Sequence, residues 1–191
     1  MSIVTKRGDR GTTDLAGRVP TSKGSLRVES YGTVDELIAQ LGLARSLAPG
    51  TEIAAEIRAI QRVLFRICAS LATVEGSGVK PPELDASLIE GLDARVGELE
   101  SSGLPKPDWS VAGERPSSAV LDVARTVCRR AERHVVRLAD TDEPVNPNVV
   151  IYLNRLSDLL WLMARQIEAD AGLDARLREP GDPEKPWSRA W

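Results

Sequence analysis

The stretch TKRGDRGTT, from Thr5 to Thr13, combines residue types that can bind phosphate. It contains two glycines three residues apart, three cations, one aspartate and three threonines. Glycines let a backbone approach a phosphate and expose its amides, while cations and hydroxyls contact the oxygens. The stretch is not a Walker A motif, because G-x-x-x-x-G-K-[ST] is absent. From its residues alone, it is either a polyphosphate-binding loop or a loose amino terminus.

A second candidate lies in the segment PSSAVLDVARTVCRRAERHVVRLA. Its apolar residues recur every three or four positions, which predicts one buried helical stripe: Val120, Ala124, Val127, Ala131, Val135 and Leu138. Outside that stripe are Arg125, Arg129, Arg130, Glu132, Arg133 and Arg137. Such charges most often form a solvated face with ion pairs between turns. The excess of arginine also fits recognition of phosphate or of an interface carboxylate.

The segment VNPNVVIYLNRLSDLLWLMAR repeats this design. Its predicted buried seam comprises Val149, Leu153, Leu156, Leu160, Met163 and Ile167. The opposite face is predicted to carry Asn154, Asp158, Trp161 and Arg165. A tryptophan is a poor choice for a face that meets only water. We therefore expect the polar faces of both helices to line a cleft between subunits of an oligomer.

Two acidic residues, Asp35 and Glu36, begin an apolar helical pattern in the sequence GTVDEL. Negative charge near a helix start is favourable by itself, because it complements the helix dipole. The alternative is that these carboxylates pair with an arginine of a neighbouring chain.

Glycines and prolines divide the chain into five predicted helices, over residues 30–47, 51–73, 84–100, 116–139 and from just after Asn148 to about 171. No segment alternates cleanly as a strand would. The fold class is therefore predicted to be all-α, a five-helix bundle. Residues 1–25 are expected to form an amino-terminal loop, residues 26–173 the bundle and residues 174–191 a flexible tail containing Trp187 and Trp191.

The composition argues against several functional classes. A net charge of -3 gives no overall attraction to nucleic acid or to anionic membranes. No apolar run is long enough to span a membrane, and the first residues lack the apolar region of a secretory signal, so we expect a cytoplasmic protein. The two cysteines, Cys68 and Cys128, are expected to be reduced core thiols. The single histidine, His134, is assigned no role.

Together, TKRGDRGTT, LRVESYGTVDELIAQLGLA, RTVCRRAER and VNPNVVIYLNRLSDLLWLMAR resemble the PduO-type corrinoid adenosyltransferases, in the same order. The resemblance runs from about Ile3 to Arg165. It implies a five-helix bundle, a homotrimer and active sites between adjacent subunits. The implied reaction moves the 5'-deoxyadenosyl group of ATP onto cob(I)alamin, giving adenosylcobalamin and triphosphate.

The resemblance also implies roles for individual residues. The implied ATP-binding residues are Thr5, Lys6, Arg7, Gly8, Asp9, Gly11, Thr12, Thr13, Lys23, Arg129, Arg130, Glu132, Arg133 and Asn154. Arg129 is an implied catalytic residue, as are Arg125 and Asp35, which would form a salt bridge between neighbouring subunits. Trp109 and Asp158 are implied to contact cobalamin. Mg²⁺ is implied to accompany ATP, near Glu132, and K⁺ does so in some members.

Two regions depart from the pattern of the family. In DWSVAGE, Trp109 stands in place of phenylalanine, Ala112 in place of proline and Glu114 in place of glycine. In the leader, Arg7 stands where threonine or serine is common, and DLAGR replaces the usual L-F/Y-G-G ending. The first set bears on corrinoid binding and the second on ATP binding.

Other functions have to be weighed against this enzyme. The same trimer could be a non-catalytic adenosylcobalamin carrier that delivers the cofactor to a B12-dependent mutase or dehydratase. A ferritin-like metal bundle needs Glu-x-x-His pairs, and the chain has one histidine. RNA binding through the arginine-rich helix is disfavoured by the net charge and the few aromatic residues. As an enzyme, the protein would also depend on a cob(II)alamin reductase.

Overall fold

The computed structural model describes residues 4, 6–48, 50–104 and 109–177. It contains five helices and one small hairpin. The helices are α1 (Leu26–Ser46), α2 (Glu52–Leu71), α3 (Ser87–Ser101), α4 (Pro116–Ala139) and α5 (Pro147–Asp170), and the strands are β1 (Thr12–Asp14) and β2 (Pro20–Ser22). The predicted five-helix bundle is confirmed.

The helix starts follow local chemistry. The Ser25 side chain accepts a hydrogen bond from the backbone N–H of Val28 and so begins α1 four residues before the predicted start. Thr51 caps α2 in the same way. Pro116 and Pro147 stand at the first positions of α4 and α5, where a missing backbone N–H costs nothing.

The helices surround one aliphatic core. Helix α1 packs against α2 and α4, α4 packs against α5, and α5 packs against α3. Most residues of the two predicted stripes are fully buried, while Val120 and Ile167 are half-buried. Helix α5 is buried on more than its predicted seam, because Tyr152, Leu159 and Leu162 are buried as well. It is therefore enclosed by its neighbours on several sides.

The leader contains an antiparallel hairpin that the sequence did not predict. Strands β1 and β2 pair with Thr12 opposite Ser22 and Asp14 opposite Pro20. The turn between them is fixed to the end of α2, since the N–H of Ala16 donates to the carbonyl of Ala72 at 2.9 Å. Three-residue strands without apolar alternation leave almost no sequence signal.

The segment after α5 begins with ordered structure. Ala175 is buried, and its carbonyl accepts a hydrogen bond from the N–H of Val111 at 2.7 Å. The N–H of Leu177 donates to the carbonyl of Trp109 at 3.0 Å. The rest of the expected tail, residues 178–191 with both tryptophans, lies outside the described residues.

Both cysteines are free thiols, as predicted. The buried Cys128 thiol donates to the Leu153 carbonyl at 3.2 Å, and the Cys68 thiol lies 3.6 Å from the Tyr31 carbonyl. Within the described ranges, no helix is long and apolar enough to cross a membrane.

Candidate active site between the leader and helices α4 and α5

The glycine-bearing leader folds back on Lys23. Its turn is closed by a hydrogen bond from the N–H of Gly11 to the carbonyl of Gly8, at 3.1 Å. The N–H of Lys23 then donates to the Gly11 carbonyl at 2.8 Å. A β-carbon at position 8 would stand 2.7 Å from Nζ of Lys23, so the ammonium group lies directly against this glycine. The structure thus brings together Gly8, Gly11 and Lys23, which the sequence placed in one ATP-binding set.

The other leader candidates present their side chains to solvent. Lys6, Arg7, Asp9 and Thr12 are exposed, and Thr13 is half-buried. Lys6 adopts a left-handed backbone conformation with φ of 58°, which is uncommon for a residue with a side chain. Thr5 lies outside the described residues. The leader therefore exposes the cations Lys6, Arg7, Arg10 and Lys23.

The arginines of α4 differ in exposure and in pairing. Arg129 and Arg133 are exposed, and Glu132 between them is half-buried. Arg130 forms an ion pair with Glu36 of α1 in the same chain, with both side chains more than two-fifths exposed. Within one chain, Glu36 therefore has an arginine partner on α4, while its pairing with an arginine of a neighbouring chain stays a prediction.

Asn154 and Asp158 are exposed on α5, one turn apart. The pKa of the Asp158 carboxyl is raised, because loss of solvent around it outweighs the attraction of Arg155 and Arg129. The attraction of Arg129 places this cation of α4 close enough to Asp158 of α5 to favour its ionised form.

Arg125 and Asp35 occupy different surroundings within one chain. Arg125 is half-buried and lies 3.3 Å from Oδ1 of Asp122, one turn earlier on α4. Asp35 is exposed, and its charge contributes to raising the pKa of Cys68 on α2. Asp35 is thus exposed with its charge near Cys68 of α2, whereas Arg125 bonds to Asp122 of its own helix.

Arg165 lies in a different place from the one its helical position predicts. The sequence placed it on the polar face opposite the apolar seam, expected to line a cleft between subunits, but its side chain is only 3% exposed within one chain. It pairs with Oδ2 of Asp122 at 2.7 Å and with both carboxylate oxygens of Glu168, at 2.6 and 2.9 Å. Breaking a buried ion pair of this kind costs about 3–5 kcal/mol, so the cluster ties α4 and α5 together.

Trp161 also departs from its predicted position, since it is half-buried and packs against the core. Its Nε1 donates to Oγ of Ser110 at 3.1 Å, and the Arg165 guanidinium lies 5.4 Å from its ring centre. Within one chain, Trp161 is therefore held by Ser110 and Arg165, while its place in a cleft between subunits stays a prediction.

The loop before α4 carries the remaining candidate. Trp109 is 38% exposed, while its backbone is paired with Leu177 as described above. Ala112 and Glu114, the two other departures from the family pattern, are exposed. Residues 105–108, immediately before Trp109, lie outside the described residues. Across the part of the chain that is described, no group of three or more His, Cys, Asp or Glu side chains could hold a metal ion.

Comparison with known proteins identifies relatives along almost the whole chain. A family model for cobalamin adenosyltransferase matches residues 3–167. The corrinoid adenosyltransferase of Bacillus subtilis strain 168 is 39% identical over 177 residues, which are 91% of this chain and 90% of that protein. The corrinoid adenosyltransferase of Mycobacterium bovis is 38% identical over 185 residues, 94% of each.

Solved structures give the same result. A variant of the PduO-type ATP:corrinoid adenosyltransferase from Lactobacillus reuteri, complexed with cobalamin and ATP, aligns with a TM-score of 0.87. The alignment has 30% identity and covers 94% of this chain and 100% of that chain. Almost the whole of this chain is thus matched by an enzyme complexed with both ligands, and the chain belongs to the cobalamin adenosyltransferase family.

Proposed function

We propose that this protein transfers the 5'-deoxyadenosyl group of ATP to the cobalt of cob(I)alamin. The observation that carries the proposal is the fold-wide match to an adenosyltransferase complexed with both substrates. In the step itself, the cobalt(I) electron pair attacks C5' of ATP and forms the cobalt–carbon bond. The bond from C5' to the triphosphate oxygen breaks, so the products are adenosylcobalamin and triphosphate.

The protein's part in this step is binding and charge stabilisation. Cobalt(I) is the nucleophile, so the reaction needs neither a general base nor a covalent residue from the chain. The protein holds C5' toward cobalt with the triphosphate leaving in line. Negative charge grows on that leaving group, and exposed cations are available to stabilise it: Lys6, Lys23, Arg129 and Arg133.

The leader is the proposed ATP-binding loop. Its glycines and the ammonium of Lys23 form one surface in the structure, and the hairpin keeps that surface fixed to the bundle. We assign phosphate contacts to this turn and to Lys6, and further ATP contacts to Arg130, Glu132 and Asn154.

Mg²⁺ is proposed to enter with ATP. This ion is usually held by one or two carboxylates together with substrate phosphates, and it keeps several waters. Glu132 is half-buried between two exposed arginines of α4 and is the carboxylate that we place nearest to it. K⁺ is a second proposed ion, accompanying the nucleotide.

The active site is proposed to lie between subunits of a homotrimer. Within one chain Arg125 bonds to Asp122 and Asp35 is exposed, and we place the Asp35 of one subunit against the Arg125 of the next. The double variant Asp35→Arg with Arg125→Asp tests this pairing. Partial recovery of the activity lost in each single variant supports the pair, and no recovery contradicts it.

Trp109 and Asp158 are the proposed corrinoid contacts. The exposed indole of Trp109 is large enough to crowd the lower face of a corrin and displace its axial ligand, which would ease reduction of cobalt(II). A cob(II)alamin reductase is a proposed partner on the supply side. A B12-dependent mutase or dehydratase is the proposed recipient of the product.

The direct test is to incubate the protein with ATP, Mg²⁺ and chemically reduced cobalamin. Formation of a light-sensitive cobalt–carbon bond, followed by absorbance, establishes the enzyme. The Arg129→Ala variant is expected to lose about a hundredfold or more in rate with its oligomeric state intact, because removing one charge-stabilising donor has effects of that size. Arg58→Ala, which removes an exposed arginine on α2, is the matched control.

Two results would contradict the proposal. Turnover by Arg129→Ala equal to that of Arg58→Ala would remove Arg129 from the site. Absence of the cobalt–carbon bond in the unaltered protein, together with tight binding of adenosylcobalamin, would favour a cofactor carrier instead.

A further inference from the structure

The buried guanidinium of Arg165 joins three parts of the chain that are distant in sequence. It contacts Asp122 on α4, Glu168 on its own helix α5, and Oγ of Ser110 in the loop before α4. Its side chain is 3% exposed, and those of Asp122 and Glu168 are 7% and 2% exposed. Two carboxylates therefore surround one buried cation, and the loop serine receives one of the remaining N–H groups.

Ser110 connects this cluster to its neighbour Trp109, the proposed corrinoid contact. Its Oγ accepts hydrogen bonds from both Arg165 and Nε1 of Trp161. Ser110 is flanked by the two residues whose backbones pair with the segment after α5, Trp109 and Val111. The position of the Trp109 backbone is therefore set by two bonds on the serine side chain and by the pairing on either side of it.

Asp122 connects the same cluster to Arg125, which is proposed to pair with Asp35 of a neighbouring subunit. Its Oδ2 accepts from Arg165, while its Oδ1 lies 3.3 Å from Nε of Arg125. Each oxygen of this buried carboxylate thus accepts a hydrogen bond from a different arginine. Any displacement of Arg165 changes the group that orients Arg125.

We propose that Arg165 is a positioning residue for adenosyl transfer, which fixes the Trp109–Val111 segment through Ser110 and orients Arg125 through Asp122. The inference rests on the proposed function, because it assigns one arm of the cluster to the corrinoid and the other to the neighbouring subunit. Arg165 itself touches neither substrate. Its planar guanidinium is suited to the task, because it can bond in several fixed directions at once.

The sharpest test separates the loop arm from the buried ion pairs. Ser110→Ala removes the acceptor on the loop and leaves the pairs of Arg165 with Asp122 and Glu168 in place. We expect the KM for cob(I)alamin to rise about tenfold, the loss typical of one hydrogen bond to a charged group, while the KM for ATP stays the same. Ser110→Thr keeps a hydroxyl and is expected to restore the KM.

The matched control is Ser46→Ala, which removes an exposed serine hydroxyl that bonds only to the Leu43 carbonyl of its own helix. Asp122→Asn tests the other arm and is expected to lower kcat at unchanged KM for cob(I)alamin. If Asp122→Asn does not fold, as judged by circular dichroism, Arg165→Lys supplies the test of the cluster and is expected to change both constants.

Hydrogen exchange gives a readout that does not require turnover. The amides of Val111 and Leu177 are expected to exchange about tenfold faster in Ser110→Ala than in Ser46→Ala, because their pairing depends on the anchored loop. Unchanged exchange together with an unchanged KM for cob(I)alamin would overturn the inference. Failure of the proposed function is a different result, namely no cobalt–carbon bond in the unaltered protein, and the exchange experiment still decides the anchoring.

Discussion

Gly17 lies so close to the backbone of Ser77 that a β-carbon at position 17 would stand 2.1 Å from the Ser77 carbonyl oxygen. The contact joins the turn of the leader hairpin to the loop that follows α2. Gly17 also has φ of 73°, in the left-handed region that side chains disfavour. Two independent constraints therefore require glycine here, and both act on the attachment of the proposed ATP-binding loop.

Gly17→Ala is accordingly expected to loosen the leader and weaken ATP binding while the five helices remain. The left-handed backbone alone costs about 1–2 kcal/mol, and the overlap with Ser77 adds to it. ATP affinity by calorimetry and hydrogen exchange across residues 12–22 measure the effect. Gly50→Ala is the matched control, because Gly50 has φ of 76° with nothing within 4 Å of its β-carbon position. Equal behaviour of the two variants would show that the contact with Ser77 is unimportant.

Asp158→Asn is expected to make the protein more stable at neutral pH and less active. The folded state raises the pKa of this carboxyl through desolvation, so ionisation of Asp158 disfavours folding. Below the pKa of Asp158 in the unfolded chain, the carboxyl is protonated in both states and does not weaken the fold. As the pH rises through its higher pKa in the folded protein, ionisation of Asp158 lowers the free energy of unfolding. The difference in Tm between variant and wild type should therefore be present at pH 7 and disappear near about pH 3. A lower Tm for the variant at pH 7 would contradict this sign.

Asp93→Asn is the control for that experiment. Asp93 is half-exposed and lies 2.9 Å from Nε of Arg155, so its replacement removes a surface ion pair. Such pairs are worth at most about 1 kcal/mol, and their loss does not stabilise a protein at pH 7.

Trp109→Ala is expected to raise the KM for cob(I)alamin and to slow conversion that starts from cob(II)alamin, with ATP affinity unchanged. The exposed indole is the proposed apolar group against the lower corrin face, and alanine cannot fill that volume. Trp109→Phe should retain most of the activity. The absorbance spectrum of bound cob(II)alamin reports whether its lower axial ligand is displaced. An unaltered spectrum in Trp109→Ala would separate this residue from corrinoid binding.

The thiols are expected to resist alkylation while the protein is folded. Burial raises the pKa of Cys68 to about 12 and raises that of Cys128 further above its ordinary value. Because the thiolate is the reactive species, only about 1 in 10,000 molecules would carry it at Cys68 at pH 8. A maleimide or a disulfide reagent should therefore modify neither residue in buffer and both in denaturant. Rapid modification of native Cys68 would contradict its burial.

The sequence predicted the helices well where a single apolar stripe determines them. The stripes of α4 and α5 are buried as expected, because each repeats over more than five turns. The start of α1 was predicted four residues late, since Ser25 was not recognised as its cap. The hairpin was missed because its strands are only three residues long and polar.

The side-chain pairs could be predicted less well than the helices. Arg165 sits opposite the apolar seam of α5, and that position normally faces solvent. It is buried because neighbouring segments enclose α5, and its partners Asp122 and Ser110 are more than forty residues away. The residue pattern carries no information on such long-range pairs, although Glu168 at i+3 was a local hint. The roles expected for the site residues came from the family resemblance. The structure added the close approach of the Lys23 ammonium group to Gly8, which the sequence did not predict.

The pairing of Ala175 and Leu177 with the Trp109–Val111 segment has a practical consequence for anyone who wishes to label this protein. The leader is bound to the end of α2, and the stretch after α5 forms one edge of the loop that carries the tryptophan. A fluorophore, affinity peptide or fusion partner joined close to either of them would press on the proposed nucleotide or corrin contacts. The corner between α1 and α2 is a safer attachment point, because Gly50 is exposed and has open space around it.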